Sequence, residues 1–208
     1  MNVLFITLSD IKDISNRGIY EDVLREFSQK EHRVFVVSPT ERRNREKTHV
    51  IRKGNAVVLK VQTGNTQRTN VFEKGISTLL IERQFIAAIQ KYLPDVTFDA
   101  VVYTTPPITF AGVIEYIKKR DGAKSYLLLK DIFPQNAVDI GMMTKKGPKS
   151  IIYKMFRRKE EKLYRLSDYI GCMSQANVDF LLSHNPYISA DRVHINPNSM
   201  DVLPYERD

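Results

Sequence analysis

Lys130 and Asp131 follow directly on the apolar run SYLLL (125–129) and precede Ile132, Phe133 and Pro134. A carboxylate in such a place can accept a hydrogen bond from a substrate hydroxyl or take its proton, and a neighbouring ammonium can meet developing phosphate charge. Plainer roles stay open, Asp131 as the cap of a loop and Lys130 as its neutralising partner. Thr104 and Thr105 end a second apolar run, VVYTT (101–105), where their hydroxyls can bond a ligand or simply close a β-branched strand. Asn16, Arg17 and Gly18 lead into a segment of helical period. A glycine that opens a helix leaves N–H groups at the positive dipole end, which favours a diphosphate, although Gly18 also reads as a turn residue.

These residues need a scaffold that gathers them, and short apolar runs alternate with helical segments along the whole chain. NVLFITLSD (2–10), HRVFVVSP (32–39), AVVLKVQT (56–63), DAVVYTTPP (99–107), SYLLLKDIFP (125–134), DYIGCMS (168–174) and RVHI (192–195) read as strands with their exits. Residues 17–30, 76–93, 148–166 and 175–184 read as helices, as does the segment carrying Phe110, Val113, Ile114 and Ile117. Ser174 is placed to cap the helix at 175–184. Residues 42–53 read as a polar basic loop, and GNTQRTN (64–70) as a second loop.

The alternation predicts one Rossmann-like α/β domain over 1–208, a doubly wound parallel sheet with helices on both faces. The strands are continuously apolar, which burial on both faces demands. Ligands of such sheets bind beyond the carboxyl ends of the strands, at the switch point of strand order. That places the candidates in 9–18, 104–107, 130–134, 174–175 and 196–198.

The chain has 208 residues, is 42% hydrophobic and 27% charged, and carries a net charge of +8. Two stretches hold much of that charge. Arg42, Arg43, Arg45, Lys47, Arg52 and Lys53 lie in the first; the second runs from Lys145 to Arg165. Clusters of this kind favour phosphate-bearing partners, or else form a solvated face with intrahelical ion pairs.

Several chemistries are missing. A single cysteine, Cys172, excludes an internal disulfide and reads as a buried, inert thiol. Four scattered histidines offer no zinc-ligand spacing. No two of the nine glycines are separated by one residue and none precedes a lysine, so the dinucleotide fingerprint and the P-loop are both absent. There is no Asp-x-Asp pair and no GxSxG elbow. No apolar run reaches membrane-spanning length and the N-terminus lacks a basic signal region, so a cytoplasmic protein is expected.

What remains resembles the N-terminal, family 4-like domain of the GT-B glycosyltransferases. The likeness rests on SDIKDISNRG (9–18), KEHRVFVVS (30–38), VVYTTPP (101–107), KDIFP (130–134), DYIGCMSQANVDFLL (168–182) and HINPNSMD (194–201), in that order. Arg17-Gly18 stands where the family often has two glycines, Lys130-Asp131 where a histidine often follows the strand, and Ser199 where a hinge glycine is usual.

The resemblance implies a sugar transferase of bacterial capsule or O-antigen assembly, working without metal or other cofactor. Its partners would be a nucleotide-sugar donor, held mainly by a C-terminal domain absent from this chain, and a polyprenyl-diphosphate-linked saccharide acceptor. Asp131 would orient or deprotonate the acceptor hydroxyl, and Asn16, Arg17, Gly18, Thr104, Thr105 and Lys130 would bind substrate. The basic helix 148–166 would rest on an anionic membrane surface, the chain alone would be inactive, and no nucleic acid is expected. The alternative is a non-catalytic Rossmann-like module whose basic surface binds nucleic acid.

Overall fold

A computed structural model describes residues 1–65, 71–148 and 150–201, and of 71–79 the backbone only. Residues 66–70 of the expected second loop and Lys149 of the second basic stretch lie outside the described residues.

Among the described residues, eight strands form one sheet: β1 (Asn2–Ile6), β2 (Arg33–Glu41), β3 (His49–Lys53), β4 (Ala56–Thr63), β5 (Ala100–Thr104), β6 (Lys124–Leu129), β7 (Tyr169–Cys172) and β8 (Val193–Ile195). Their order is β3-β4-β2-β1-β5-β6-β7-β8. All pairings are parallel except β3 with β4. Six helices join them: α1 (Ile19–Gln29), α2 (Val71–Tyr92), α3 (Ala111–Asp121), α4 (Gln135–Asp139), α5 (Ser150–Leu166) and α6 (Gln175–His184).

Side chains alternate across a strand, so a continuously apolar strand feeds two cores. Leu4 and Ile6 of β1 face the larger one, built with Phe85 and Ile89 of α2, Ile114 and Ile117 of α3, Leu163 of α5 and Leu181 of α6. Val3 and Phe5 of the same strand face the smaller one, closed by Leu24 of α1 and by the loop residues Ile11 and Ile14. Helices therefore lie on both faces, α2, α3, α5 and α6 on one and α1 on the other.

Local chemistry sets the helix ends. Ile81, Phe85, Ala88 and Ile89 recur at helical spacing on α2, and all are buried. Gly122, left-handed at φ 69°, closes α3 by donating its N–H to the Lys118 carbonyl. Ser174 caps α6 as expected, its hydroxyl accepting the Asn177 N–H.

The expected basic loop at 42–53 is corrected in part. His49–Lys53 is an antiparallel edge strand, joined to β4 through the two-residue turn Gly54-Asn55. Gly54 has φ 58°, which such a turn requires of its first residue. Exposed Arg52 and Lys53 keep this edge from pairing further.

The chain winds from β1 through α1 to β2 on one side, and returns from β4 through α2 to β5 on the other. The switch point thus falls between the carboxyl ends of β1 and β5, flanked by β6.

Candidate functional site

Three loops meet at that switch point: 7–18 after β1, 105–107 after β5 and 130–134 after β6. The first is held by an unusual anchor. Lys60, in the middle of β4, has a side chain only 1% exposed. It donates to Asp10 Oδ1 at 2.5 Å, Ser38 Oγ at 2.8 Å and the Pro39 carbonyl at 2.7 Å. Ser38 in turn accepts the Ile11 N–H at 3.0 Å and donates to the Ser9 carbonyl at 2.6 Å. Burial pulls the Lys60 ammonium below the usual lysine range, and the hydrogen bond to Asp10 opposes that shift.

Under the crevice lie Thr104 and Thr105, 2% and 1% exposed. Both hydroxyls, expected to bind substrate, have partners within the chain. Thr104 Oγ1 donates to Thr7 Oγ1 at 3.4 Å. Thr105 Oγ1 accepts the Lys130 N–H at 3.1 Å and reaches the Asp131 carbonyl at 3.4 Å. Thr105 therefore fixes where Lys130 and Asp131 leave the sheet.

Neither plain role for those two residues is realised. Lys130 and Asp131 form no ion pair with each other or with any described residue. Pro134, not Asp131, stands at the start of α4. The Asp131 side chain is exposed, whereas Lys130 is half-buried and its ammonium is pushed below the ordinary lysine range by burial alone. A cation and a carboxylate, neither ion-paired among the described residues, are thus presented at the switch point.

Tyr20, on the first turn of α1, joins them. Its hydroxyl interacts with the Thr104 side chain and feels the charge of Asp131, and burial raises its pKa above the usual tyrosine value. Sequence reading placed Tyr20 only within the helical segment 17–30. Its ring does pack on Phe5 at 5.4 Å, while its hydroxyl faces the crevice.

The Gly18 end differs from an open anion cradle. Its N–H points to Asp22 Oδ1 at 3.4 Å, and a Cβ at Gly18 would collide with the Glu21 carboxylate. Two side-chain carboxylates already serve the positive end of α1. Arg17 Nη2 donates to the Asp201 carbonyl at 2.6 Å, and Arg25 donates to Asp22 Oδ1 at 2.5 Å, to Asp201 Oδ2 at 2.7 Å and to the Asn16 carbonyl at 2.9 Å. The segment after β8 thus crosses back over the strand ends and is clamped to α1. The Asn16 side chain stays exposed.

The outer candidates have partners of their own. The Ser174 hydroxyl caps α6, Gln175 bonds Asp179 at 2.8 Å, and Asn196 donates to Tyr126 Oη at 2.7 Å. Cys172 is buried and its thiol is pushed up to about 11, which leaves it inert. No helix among the described residues is long and apolar enough to cross a membrane.

No family model and no curated protein sequence matches the chain. Solved structures do. An Escherichia coli trehalose-6-phosphate structure bound with UDP-2-fluoro glucose aligns at TM-score 0.60 and 10% identity, over 95% of this chain and 49% of that one. The likeness is one of fold, a Rossmann-like α/β domain shared with about half of that chain. TcCGT1 in complex with UDP aligns at 0.58 and 10%, over 99% of this chain and 53% of that one. Phytolacca americana UGT2 aligns at 0.55 and 11%, over 95% and 52%. This chain spans about half the length of those proteins.

Proposed function

We propose that this chain is the acceptor-side half of a glycosyltransferase in cell-surface polysaccharide synthesis. It would act with a second Rossmann-like half that holds the nucleotide-sugar, and the acceptor would be a hydroxyl of a lipid-linked saccharide. The observation that carries the reading is the pair at the β6 exit, Lys130 half-buried and Asp131 exposed, neither with an ion-pair partner among the described residues. Solved nucleotide-sugar and nucleotide complexes of the same fold support it.

In the transfer, the acceptor oxygen bonds to the anomeric carbon while the bond from that carbon to the phosphate oxygen breaks. The nucleoside diphosphate leaves with the electron pair, and the acceptor proton passes to a base. Asp131 is exposed and free to accept that hydroxyl's hydrogen bond. Lys130 is partly desolvated, so its charge acts on the leaving diphosphate with less screening than a fully exposed lysine's would. The α1 N-terminus carries its own carboxylates and so suits neutral hydroxyls of the acceptor, offered to Asn16 and Arg17, better than a diphosphate.

The test is genetic and biochemical. Deleting the gene should remove transfer of label from a nucleotide-sugar into the lipid-linked saccharide fraction of cell membranes. The intact gene should restore transfer, and a Lys130→Ala copy should not. Unchanged transfer in the deletion strain, across a panel of nucleotide-sugars, would overturn the reading.

A further inference from the structure

Five of the ten large apolar side chains that the described residues expose fall between positions 140 and 155. Ile140 and Met142, in the loop after α4, are 71% and 77% exposed. Ile151, Ile152 and Met155, on the first turns of α5, are 72%, 53% and 46% exposed. Loop and helix are held together, because Lys145 Nζ lies 5.7 Å over the Tyr153 ring and Ser150 donates its N–H to the Gly147 carbonyl at 3.0 Å. The apolar stripe of this helix therefore divides. Leu163, near its C-terminal end, is core; the residues near its start face solvent.

The charge divides at the same place. Residues 140–159 contain no Asp or Glu and carry Lys145, Lys146, Lys154 and Arg158 exposed, with no ion-pair partner among the described residues. Further along, the charge is already used. Arg157 pairs with Glu160 at 2.7 Å, Lys162 pairs with Glu115 at 2.7 Å, and Arg165 stacks 3.8 Å over Tyr187. Exposed apolar groups ringed by unpaired cations, with no acid among them, are complementary to one surface: acyl chains beneath anionic headgroups. A second copy of the chain would set these cations against themselves across a two-fold axis. Nucleic acid would leave the isoleucines and methionines in water.

We infer that the loop at 140–147 and the first turns of α5 form a membrane-docking face that inserts Ile140, Met142, Ile151 and Ile152 into an anionic bilayer. Phe133, two residues beyond Asp131, packs edge-on against Phe156 of α5 at 5.1 Å. Docking would therefore hold the β6 exit near the headgroups. Its value for a lipid-linked acceptor rests on the proposed function; the docking itself does not.

The experiment is flotation of the full chain with vesicles of phosphatidylcholine alone or mixed with phosphatidylglycerol. The chain should float with the mixed vesicles, and high salt should weaken that binding. Met142→Ser combined with Ile151→Ser and Ile152→Ser should reduce it about tenfold or more, as should Lys145→Gln, Lys146→Gln, Lys154→Gln and Arg158→Gln together. Both variants should keep the melting temperature of the parent, since every altered side chain is exposed. Absence of binding to mixed vesicles, equal binding to neutral ones, or full binding by the apolar variant would overturn the inference. So would a dimer of the chain that the apolar variant dissolves without any vesicle binding. A chain that floats but supports no sugar transfer in cells would leave the docking face standing and remove the transferase reading.

Discussion

At the scale of single residues, the crevice combines a half-buried cation with an exposed carboxylate. In a working transferase containing this chain, Asp131→Asn keeps shape and removes charge and basicity. Turnover should fall about 10²–10⁴-fold, the usual contribution of a positioned acid or base, with the melting temperature unchanged because Asp131 has no internal partner. Unchanged turnover would remove Asp131 from the chemistry. Lys130 adds a pH signature. Burial lowers its folded pKa, so the ammonium proposed to face the diphosphate is lost at a lower pH than an ordinary lysine would lose it. Activity should decline on the alkaline side below the usual lysine range, and that limb should vanish in Lys130→Arg, which stays charged. Lys130 and Asp131 were legible in the sequence because they follow an apolar strand whose end must face the crevice. Lys60 carried a signal too, a lone lysine inside AVVLKVQT that passed as part of a strand. Nothing local announced Tyr20, since its hydroxyl meets Thr104 only after the strands have assembled.

At the scale of elements, the strand and helix pattern was readable wherever apolar residues ran unbroken. The missed strand, β3, is short and half polar, and its best signal was the Gly54-Asn55 pair between HVIRK and AVVLK. Hidden equally were the ties between elements. Asp168, before β7, accepts Ser125 N–H at 2.8 Å, Ser125 Oγ–H at 2.8 Å and Lys118 Nζ–H at 2.7 Å, joining α3, β6 and β7. Burial raises its pKa, but the Lys118 and Ser125 bonds outweigh burial and leave it below the ordinary aspartate value. A carboxylate depressed in the folded state stabilises the fold above its unfolded pKa, and that stability disappears as pH falls through the folded value. Asp168→Asn should therefore cost about 1–3 kcal/mol at neutral pH. The difference between parent and variant should shrink as the pH drops below the unfolded aspartate pKa of about 3.9. Denaturant melts at several pH values check this, and a penalty independent of pH would assign Asp168 a packing role instead.

At the scale of the whole molecule, the winding of the sheet brings together residues far apart in sequence. Parallel β1 and β5 part at the switch point, and the segment after β8 then has to recross the strand ends to reach α1. The motifs SDIKDISNRG and HINPNSMD suggested both ends of this path but not that they touch. They meet through Arg25, which donates to the Ile14 carbonyl at 3.0 Å and the Asn16 carbonyl at 2.9 Å on one side and to Asp201 at 2.7 Å on the other. Asp22 completes the clamp by accepting the Asp201 N–H at 2.9 Å. One guanidinium thus fixes the first site loop and the returning segment together, and the two should loosen as one unit. Arg25→Leu keeps much of the aliphatic bulk and removes all these donors. Amide exchange should accelerate in residues 12–18 and in 196–201 alike, while the central strands β1, β2 and β5 keep their protection. Asp201→Asn leaves the Arg25 bonds to Ile14 and Asn16 in place, so it should release only the returning segment. If Arg25→Leu frees one segment and leaves the other protected, the clamp does not couple them, and the crevice is shaped by its separate loops.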